Sequence, residues 1–327
     1  MKEYKHLTFL EQIELLETRN LRIENKERAA KKLEFINYYK LKELAYPFAV
    51  YSEDGTYRYQ NISFDLLIKR YYQDKKLRTN ILSCVEKIEV AFKTRMCHLL
   101  GERYGVYGYL TFDKWMNKEK YCKYYISEKQ GDFTKKLKEL VSNNKMRCVL
   151  EHFALNPEMK KNAKIPIWML VESLTFGEVL VWYEWMSNKN REKISNAFSS
   201  TPKELESWLK ALKFIRNQCA HNANVIDLRL RTKPTLKEEW KKFILIEEKQ
   251  SIGALAEVLI IMCYLTIKIN EKYAFNDLQR AINKVVGKSE FQANLLGFKD
   301  VDSAKNAIKR LGGHFQNRTN TNKTKSG

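Results

Sequence analysis

Six consecutive residues, Arg216-Asn217-Gln218-Cys219-Ala220-His221, place a guanidinium, an amide and an imidazole within one and a half helical turns. A guanidinium binds and neutralises phosphate through paired N–H donors, and an imidazole titrates close to neutrality, where it can take or give a proton. These residue types could act on a phosphate, though a carboxylate or a helix end would also satisfy the guanidinium. The spacing by itself is weak evidence. With 16 Arg and 5 His in 327 positions, chance supplies roughly a quarter of one R-x4-H arrangement. The chain holds two, the other being Arg147-Cys-Val-Leu-Glu-His152. On an ideal helix Arg216 and His221 point about 140° apart and lie about 7.5 Å apart along the axis, so one copy alone makes a poor site.

The helix that must carry these residues has the best-defined start in the chain. Ser200-Thr201-Pro202-Lys203-Glu204 supplies a cap, a Pro for the first helical position and a capping-box Glu, which predicts a helix from here to about His221. With Leu212 set at 0°, Leu205, Trp208, Leu209, Ile215 and Cys219 fall within about 60° and form the buried stripe. Arg216, at about 40°, is predicted inside that stripe. A guanidinium there needs a carboxylate, a helix end or a phosphate, and Glu86, Glu89 and Glu172 are the candidate internal partners. His221, on the opposite side, is predicted to be accessible at the helix C-terminus, where the macrodipole favours its protonated form.

Composition limits the setting. The 327 residues carry 59 Lys and Arg against 39 Asp and Glu, a formal charge of +20, with 44% hydrophobic and 12% aromatic content. That excludes a disordered chain, a collagen or a disulfide miniprotein. Only 5 Pro and 12 Gly punctuate it, so mostly helix is expected. The excess of positive charge costs self-repulsion and points to a polyanionic partner, nucleic acid or an anionic membrane face. The cysteines at 84, 97, 122, 148, 219 and 263 form no C-x-x-C, and His is not clustered, so no metal site, cofactor or disulfide framework is expected. The opening Met-Lys-Glu-Tyr-Lys-His lacks an apolar signal region, which suits a reducing cytoplasm. Residues 258–267 are almost wholly apolar, but Glu257 and Lys268 bracket them and a membrane span needs about 20 residues; they read as a buried core helix.

Along the chain, helices are predicted over 8–18, over 26–46 up to Pro47, and over 77–100, where Leu77, Ile81, Val85, Ile88, Phe92, Met96 and Leu99 recur every three or four residues. Asp54-Gly55 between short β-prone runs predicts a hairpin within 49–59. Residues 113–147 mix ten Lys and Arg with Trp115, Tyr121, Tyr124 and Tyr125; they read as a solvated helical face or as a nucleic-acid groove. Ile165-Pro-Ile-Trp168 opens a further apolar helix in which Gly177, after Phe176, permits close packing. Past Asp302 the charges are all basic, from Lys305 to Lys325, and a flexible basic tail is expected. The expected organisation is an N-terminal helical segment with a hairpin over 1–76, a helical domain over 77–300 and the tail over 301–327.

Arg-Asn-x-x-x-His at the end of an apolar helix resembles the motif of HEPN ribonucleases, and the surrounding sequence is similar to Abi-like abortive-infection proteins of the AbiD/AbiF type. The likeness runs in order through Gln12-Ile-Glu-Leu-Leu-Glu-Thr-Arg-Asn20, Ile36-Asn-Tyr-Tyr-Lys-Leu41, Tyr72-Gln-Asp-Lys-Lys-Leu-Arg78, Val85-Glu-Lys-Ile-Glu89, Ile165-Pro-Ile-Trp168 and Phe176-Gly177, spanning about residues 8 to 275. Departures are Asn20 where a Gly is usual, Lys93 where an Arg is usual, and Asn222 and Asn224 where basic residues often follow the His. Arg147 and His152 lack the adjacent Asn and lie outside the motif position. The resemblance implies an all-α, HEPN-like helical bundle with an added N-terminal helical segment and one small β-hairpin. It also implies metal-independent cleavage of RNA, in which the ribose 2′-hydroxyl attacks the adjacent phosphate. Arg216, His221 and Asn217 would then be catalytic, with Lys93, Lys213, Arg229 and Arg231 gripping RNA. Two such motifs pair across a twofold in HEPN ribonucleases, so a homodimer is expected, with a structured non-coding RNA as partner or regulator and no membrane. Two other readings stay open at this point, a HEPN-fold module that binds RNA without cutting it and a helical scaffold.

Overall fold

The computed structural model describes residues 5–143 and 145–310. Helix α1 (Phe9–Thr18) starts at the expected capping box: Thr8 Oγ1 accepts from Glu11 N at 3.2 Å, and the Glu11 carboxylate accepts from Thr8 N at 2.7 Å. Asn20 follows in the left-handed region at φ 66°, a conformation Asn tolerates better than most side chains. The single helix expected over 26–46 is two, α2 (Lys26–Leu33) and α3 (Tyr38–Ala45), because Asn37 caps the second by accepting from Tyr39 N at 2.9 Å. Strands β1 (Ala49–Tyr51) and β2 (Tyr57–Tyr59) form the antiparallel hairpin, Val50 opposite Arg58, with Gly55 at φ 77° in the turn.

Helix α4 (Phe64–Tyr104) is the spine, 41 residues long and about 60 Å from end to end. It starts well before the expected 77 and packs against α3 and most of the later helices. Those are α5 (Phe112–Trp115), α6 (Lys123–Ser142), α7 (Arg147–Leu155), α8 (Pro157–Lys161), α9 (Ile167–Ser173), α10 (Phe176–Trp185), α11 (Asn188–Ala197) and α12 (Pro202–Ala220), then α13 (Leu255–Ile269), α14 (Asn276–Val286) and α15 (Glu290–Leu296). The apolar helix expected from Ile165 is split into α9 and α10 because Thr175 builds its own capping box with Glu178. A second ribbon, β3 (Ile246–Glu247) with β4 (Gln250–Ser251), turns through Glu248 and Lys249, both left-handed. Neither residue type announces such a turn.

Helix α13 is the buried core helix: residues 258–263 have no exposed surface. Among the described residues no helix is long and apolar enough to cross a membrane. Two apolar cores share α4. The smaller gathers Ile13, Leu16, Leu41, Leu44, Tyr59 and Leu67; the larger begins at Leu77. They part between Leu67 and Leu77, within an unbroken helix that runs through the boundary drawn at 76/77. Residues 301–310 are helical, with Ala304, Ala307 and Ile308 buried, so a flexible tail does not begin at 301; residues 311–327 lie outside the described residues.

Candidate active site

Helix α12 forms as its sequence dictates. Thr201 Oγ1 accepts from Glu204 N at 3.2 Å, the Glu204 carboxylate accepts from Thr201 N at 2.8 Å, and Pro202 occupies the first turn. Leu205, Trp208, Leu209, Leu212, Ile215 and Cys219 are all buried. The helix ends at His221, the C-cap, whose N–H donates to Asn217 O at 2.9 Å. The His221 side chain is exposed, as its place on the wheel requires.

Arg216 departs from expectation. Its side chain is 45% exposed rather than buried in the stripe, because its long stem carries the guanidinium out past the apolar neighbours to solvent. Of the three candidate partners the structure selects Glu89, with Nε 4.0 Å from Oε2, the outer limit of an ion pair. Arg216 Nη1 also donates to Asn217 Oδ1 at 3.4 Å. The other Glu89 oxygen holds Lys93 Nζ at 3.0 Å, and the Lys93 side chain is only 11% exposed. In the protomer Lys93 is thus a largely buried internal partner of Glu89, one turn away on α4, rather than an open cation.

Arg216 and Asn217 border a cleft of about 690 Å³ between α6, α10 and α12. Lys129 and Lys136 line it from α6, Phe176 and Trp185 from α10, and Lys213 from α12. Gly177 has a packing role here: a Cβ on it would lie 3.1 Å from Lys213 Cε, so the missing side chain lets Lys213 lie across α10. His221 does not line this cleft, which therefore holds the guanidinium without the imidazole of the same protomer. Arg229 and Arg231 are exposed but also lie off the cleft, and Arg229 Nη1 donates to the carbonyls of Leu228 and Leu295 at 2.9 and 3.1 Å. In the other R-x4-H, on α7, the Arg147 side chain is 92% exposed and pairs with Glu151 at 2.7 Å. Among the described residues no group of three or more His, Cys, Asp or Glu is placed to hold a metal ion.

Sequence reasoning missed the clamp that fixes the backbone after His221. Asp74, on α4, accepts from Val225 N at 2.7 Å and Ile226 N at 3.1 Å through one oxygen, and from Arg78 Nε at 2.9 Å through the other. Arg78 Nη1 reaches Asn222 Oδ1 at 2.7 Å, Lys40 Nζ reaches the Asn222 carbonyl at 2.7 Å, and Asn224 Nδ2 donates to Glu43 at 3.2 Å. Asn222 itself is left-handed at φ 56°. Asn222 and Asn224 thus bind side chains of the protein itself, from α3 and α4. The available signal was the spacing: Arg70, Asp74 and Arg78 fall on the same α4 stripe as Leu67, Leu77 and Ile81, where exposed charges have no place.

Farther along the same loop, Asp227 pairs with Arg70, whose Nη1 also meets Gln292 Oε1 at 2.5 Å. Burial pushes the Asp227 carboxyl up to about 6, overriding the lowering by Arg70. Since the native carboxyl holds its proton above the ordinary 3.8, its contribution to stability is present at acid pH and is lost as pH rises from about 4 to about 6. Asp227→Asn cannot titrate. Thermal melts of both proteins across that interval are expected to show the wild type losing Tm relative to the variant; a constant difference would contradict the shift.

The sequence profile of the Abi-like protein family matches residues 31–227, from α2 to the end of the clamped loop, and includes Lys40, Asp74, Arg78, Arg216 and His221. No curated protein and no solved structure matches the chain. With more than half of its 327 residues under that profile, the chain belongs to the Abi-like protein family.

Proposed function

We propose that the chain is an RNA-binding phage-defence protein of the abortive-infection type, close to the AbiD/AbiF proteins, whose α12 carries a metal-independent HEPN endoribonuclease site. The observation that carries this is the disposition of one helix end: Arg216 and Asn217 open onto a lysine-lined cleft while His221 stands exposed a turn beyond, and the core claims neither side chain. A homodimer completes the site, because a twofold at this helix end brings both His221 imidazoles together with the Arg216 that one protomer's own His221 does not join in the cleft. One His221 takes the proton from the ribose 2′-hydroxyl as the 2′-oxygen bonds to phosphorus. The P–O5′ bond then breaks, the 5′-oxygen leaves with a proton from the protonated His221 of the partner subunit, and a 2′,3′-cyclic phosphate remains. Arg216 neutralises the charge that builds on the phosphoryl oxygens, and Asn217, in contact with it, holds its orientation. A structured non-coding RNA acts as regulator in the cytoplasm, where the +20 charge favours its capture.

The separation of Arg216 from His221 within the protomer favours a second reading should no dimer form, a HEPN-fold module that holds structured RNA without cutting it. Purification and light scattering test the common ground. The protein is expected to elute as a dimer with the ultraviolet spectrum of a nucleoprotein, and to lose RNA affinity by orders of magnitude between about 50 and about 200 mM salt. A nucleic-acid-free protein whose weak RNA binding ignores salt would overturn both readings and leave the helical scaffold.

A further inference from the structure

We infer that the cleft beside Arg216, together with an aromatic ladder leading out of it, is a base-stacking subsite that seats unpaired nucleotides next to the reacting phosphate; this rests on the ribonuclease reading of Arg216. The ladder starts at Trp185, at the C-terminal end of α10, which lines the cleft and, like Tyr121 and Tyr125, is partly buried against the main core with the rest of its ring open. Tyr125 of α6 meets Trp185 edge-on, centroids 6.5 Å apart and planes at 87°. Tyr121 stacks on Tyr125 at 5.0 Å and 13°. Each tyrosine has a cation beside its face: Lys129 lies 5.4 Å from the Tyr125 centroid and Lys120 lies 5.1 Å from that of Tyr121. Lys129 is shared with Glu128 and Asp132, so the ladder offers an unpaired strand mainly aromatic surface, the remaining open parts of the Trp185, Tyr125 and Tyr121 rings, with the uncommitted charge lying at the α12 end of the cleft. Trp115, in the same basic segment, is fully buried and belongs to the core rather than to this ladder.

Charge gives the cleft a direction. Its carboxylates, Asp132 and Glu178, are engaged by Lys129 and Lys136. At the α12 end the positive charge is left over: Lys213 forms no ion pair among the described residues, and Arg216 holds Glu89 only at 4.0 Å. A phosphate therefore settles against α12, where Arg216 can act on it, and the base lies toward the apolar wall of Phe176, Val181 and Trp185. The volume, about 690 Å³, is ample for one nucleotide and within the range of small-molecule sites. A duplex keeps its bases stacked inside the helix and cannot offer them to these rings.

The test uses the full chain and a fluorescent single strand of about 12 nucleotides made wholly of 2′-O-methyl sugars, which cannot be cut, beside its all-ribose counterpart. Tyr125→Leu and Lys213→Gln are each expected to weaken binding of the 2′-O-methyl strand about tenfold, and Tyr125→Leu to raise KM for the ribose strand with kcat retained. Binding of a blunt duplex of the same sequence is expected to stay unchanged in Tyr125→Leu. Tyr121→Ala, farther from the core, repeats the measurement if Tyr125→Leu does not fold. Unchanged binding of the 2′-O-methyl strand by the folded variants would overturn the subsite whether or not the chain cuts RNA. Weakened binding together with cleavage that survives Arg216→Ala would uphold the subsite and overturn the ribonuclease reading.

Discussion

Replacing Arg216 or His221 with alanine is expected to lower RNA cleavage by about three orders of magnitude or more while the protein stays folded and dimeric. An acid–base group in a phosphoryl transition state contributes about 10²- to 10⁴-fold, and a preorganised cation opposite developing charge contributes about as much. Neither substitution disturbs the core. Arg216 holds Glu89 only at the limit of an ion pair and is nearly half exposed, so that contact is worth at most about 1 kcal/mol. Glu89 keeps its closer partner, Lys93, when Arg216 is gone. His221 caps α12 through its backbone N–H, which alanine also possesses. Equal losses of kcat in the two variants, with melting and retained RNA near those of the wild type, would mark both as parts of one site. A variant that cuts at the wild-type rate would remove its residue from the mechanism.

Asp74→Ala is expected to be the most destabilising single change near the site, by about 3 to 5 kcal/mol. The Asp74 side chain is 1% exposed and satisfies three buried donors at once, Val225 N, Ile226 N and Arg78 Nε. Alanine leaves all three without an acceptor and the Arg78 charge without its nearest counter-ion, which is the costly way to break a buried pair. Asp74→Asn can still accept from the two amides and is expected to lose less. Urea denaturation gives the magnitudes. Hydrogen exchange at Val225 and Ile226 gives the location, with much faster exchange expected in Asp74→Ala. Because this loop begins one residue after His221, cleavage is expected to fall in step with its loosening. A shift within about 0.5 kcal/mol would show that the clamp holds nothing.

The parts of the fold that local chemistry dictates were readable in advance. Thr201, Pro202 and Glu204 set the start of α12, the apolar period set its buried face, Asp54-Gly55 set the hairpin, and the apolar run at 258–267 set the core helix. Two breaks were hidden because a single capping residue, Asn37 or Thr175, interrupts an otherwise continuous apolar period. The first turns of α4 were hidden for a different reason. Arg70, Asp74 and Arg78 interrupt the apolar stripe with charge, and the partners that make those charges fit, Asp227, Asn222 and Gln292, lie more than a hundred residues downstream. At the site the residue types were legible and their surroundings were not. A helical wheel gives the direction in which a side chain leaves the backbone, not how far a long one travels. It therefore buried Arg216, which reaches solvent, and gave no hint that Lys93 turns inward to the carboxylate beside Arg216.

The ends of the RNA fragments test the central claim most directly. With the dimer, an all-ribose strand and excess chelator, cleavage is predicted to continue and to leave a 2′,3′-cyclic phosphate. It should stop when the 2′-hydroxyl at the cut is methylated, and stop in His221→Ala. Fragments ending in a free 3′-hydroxyl, or cutting that survives loss of that 2′-hydroxyl or of His221, would contradict the account.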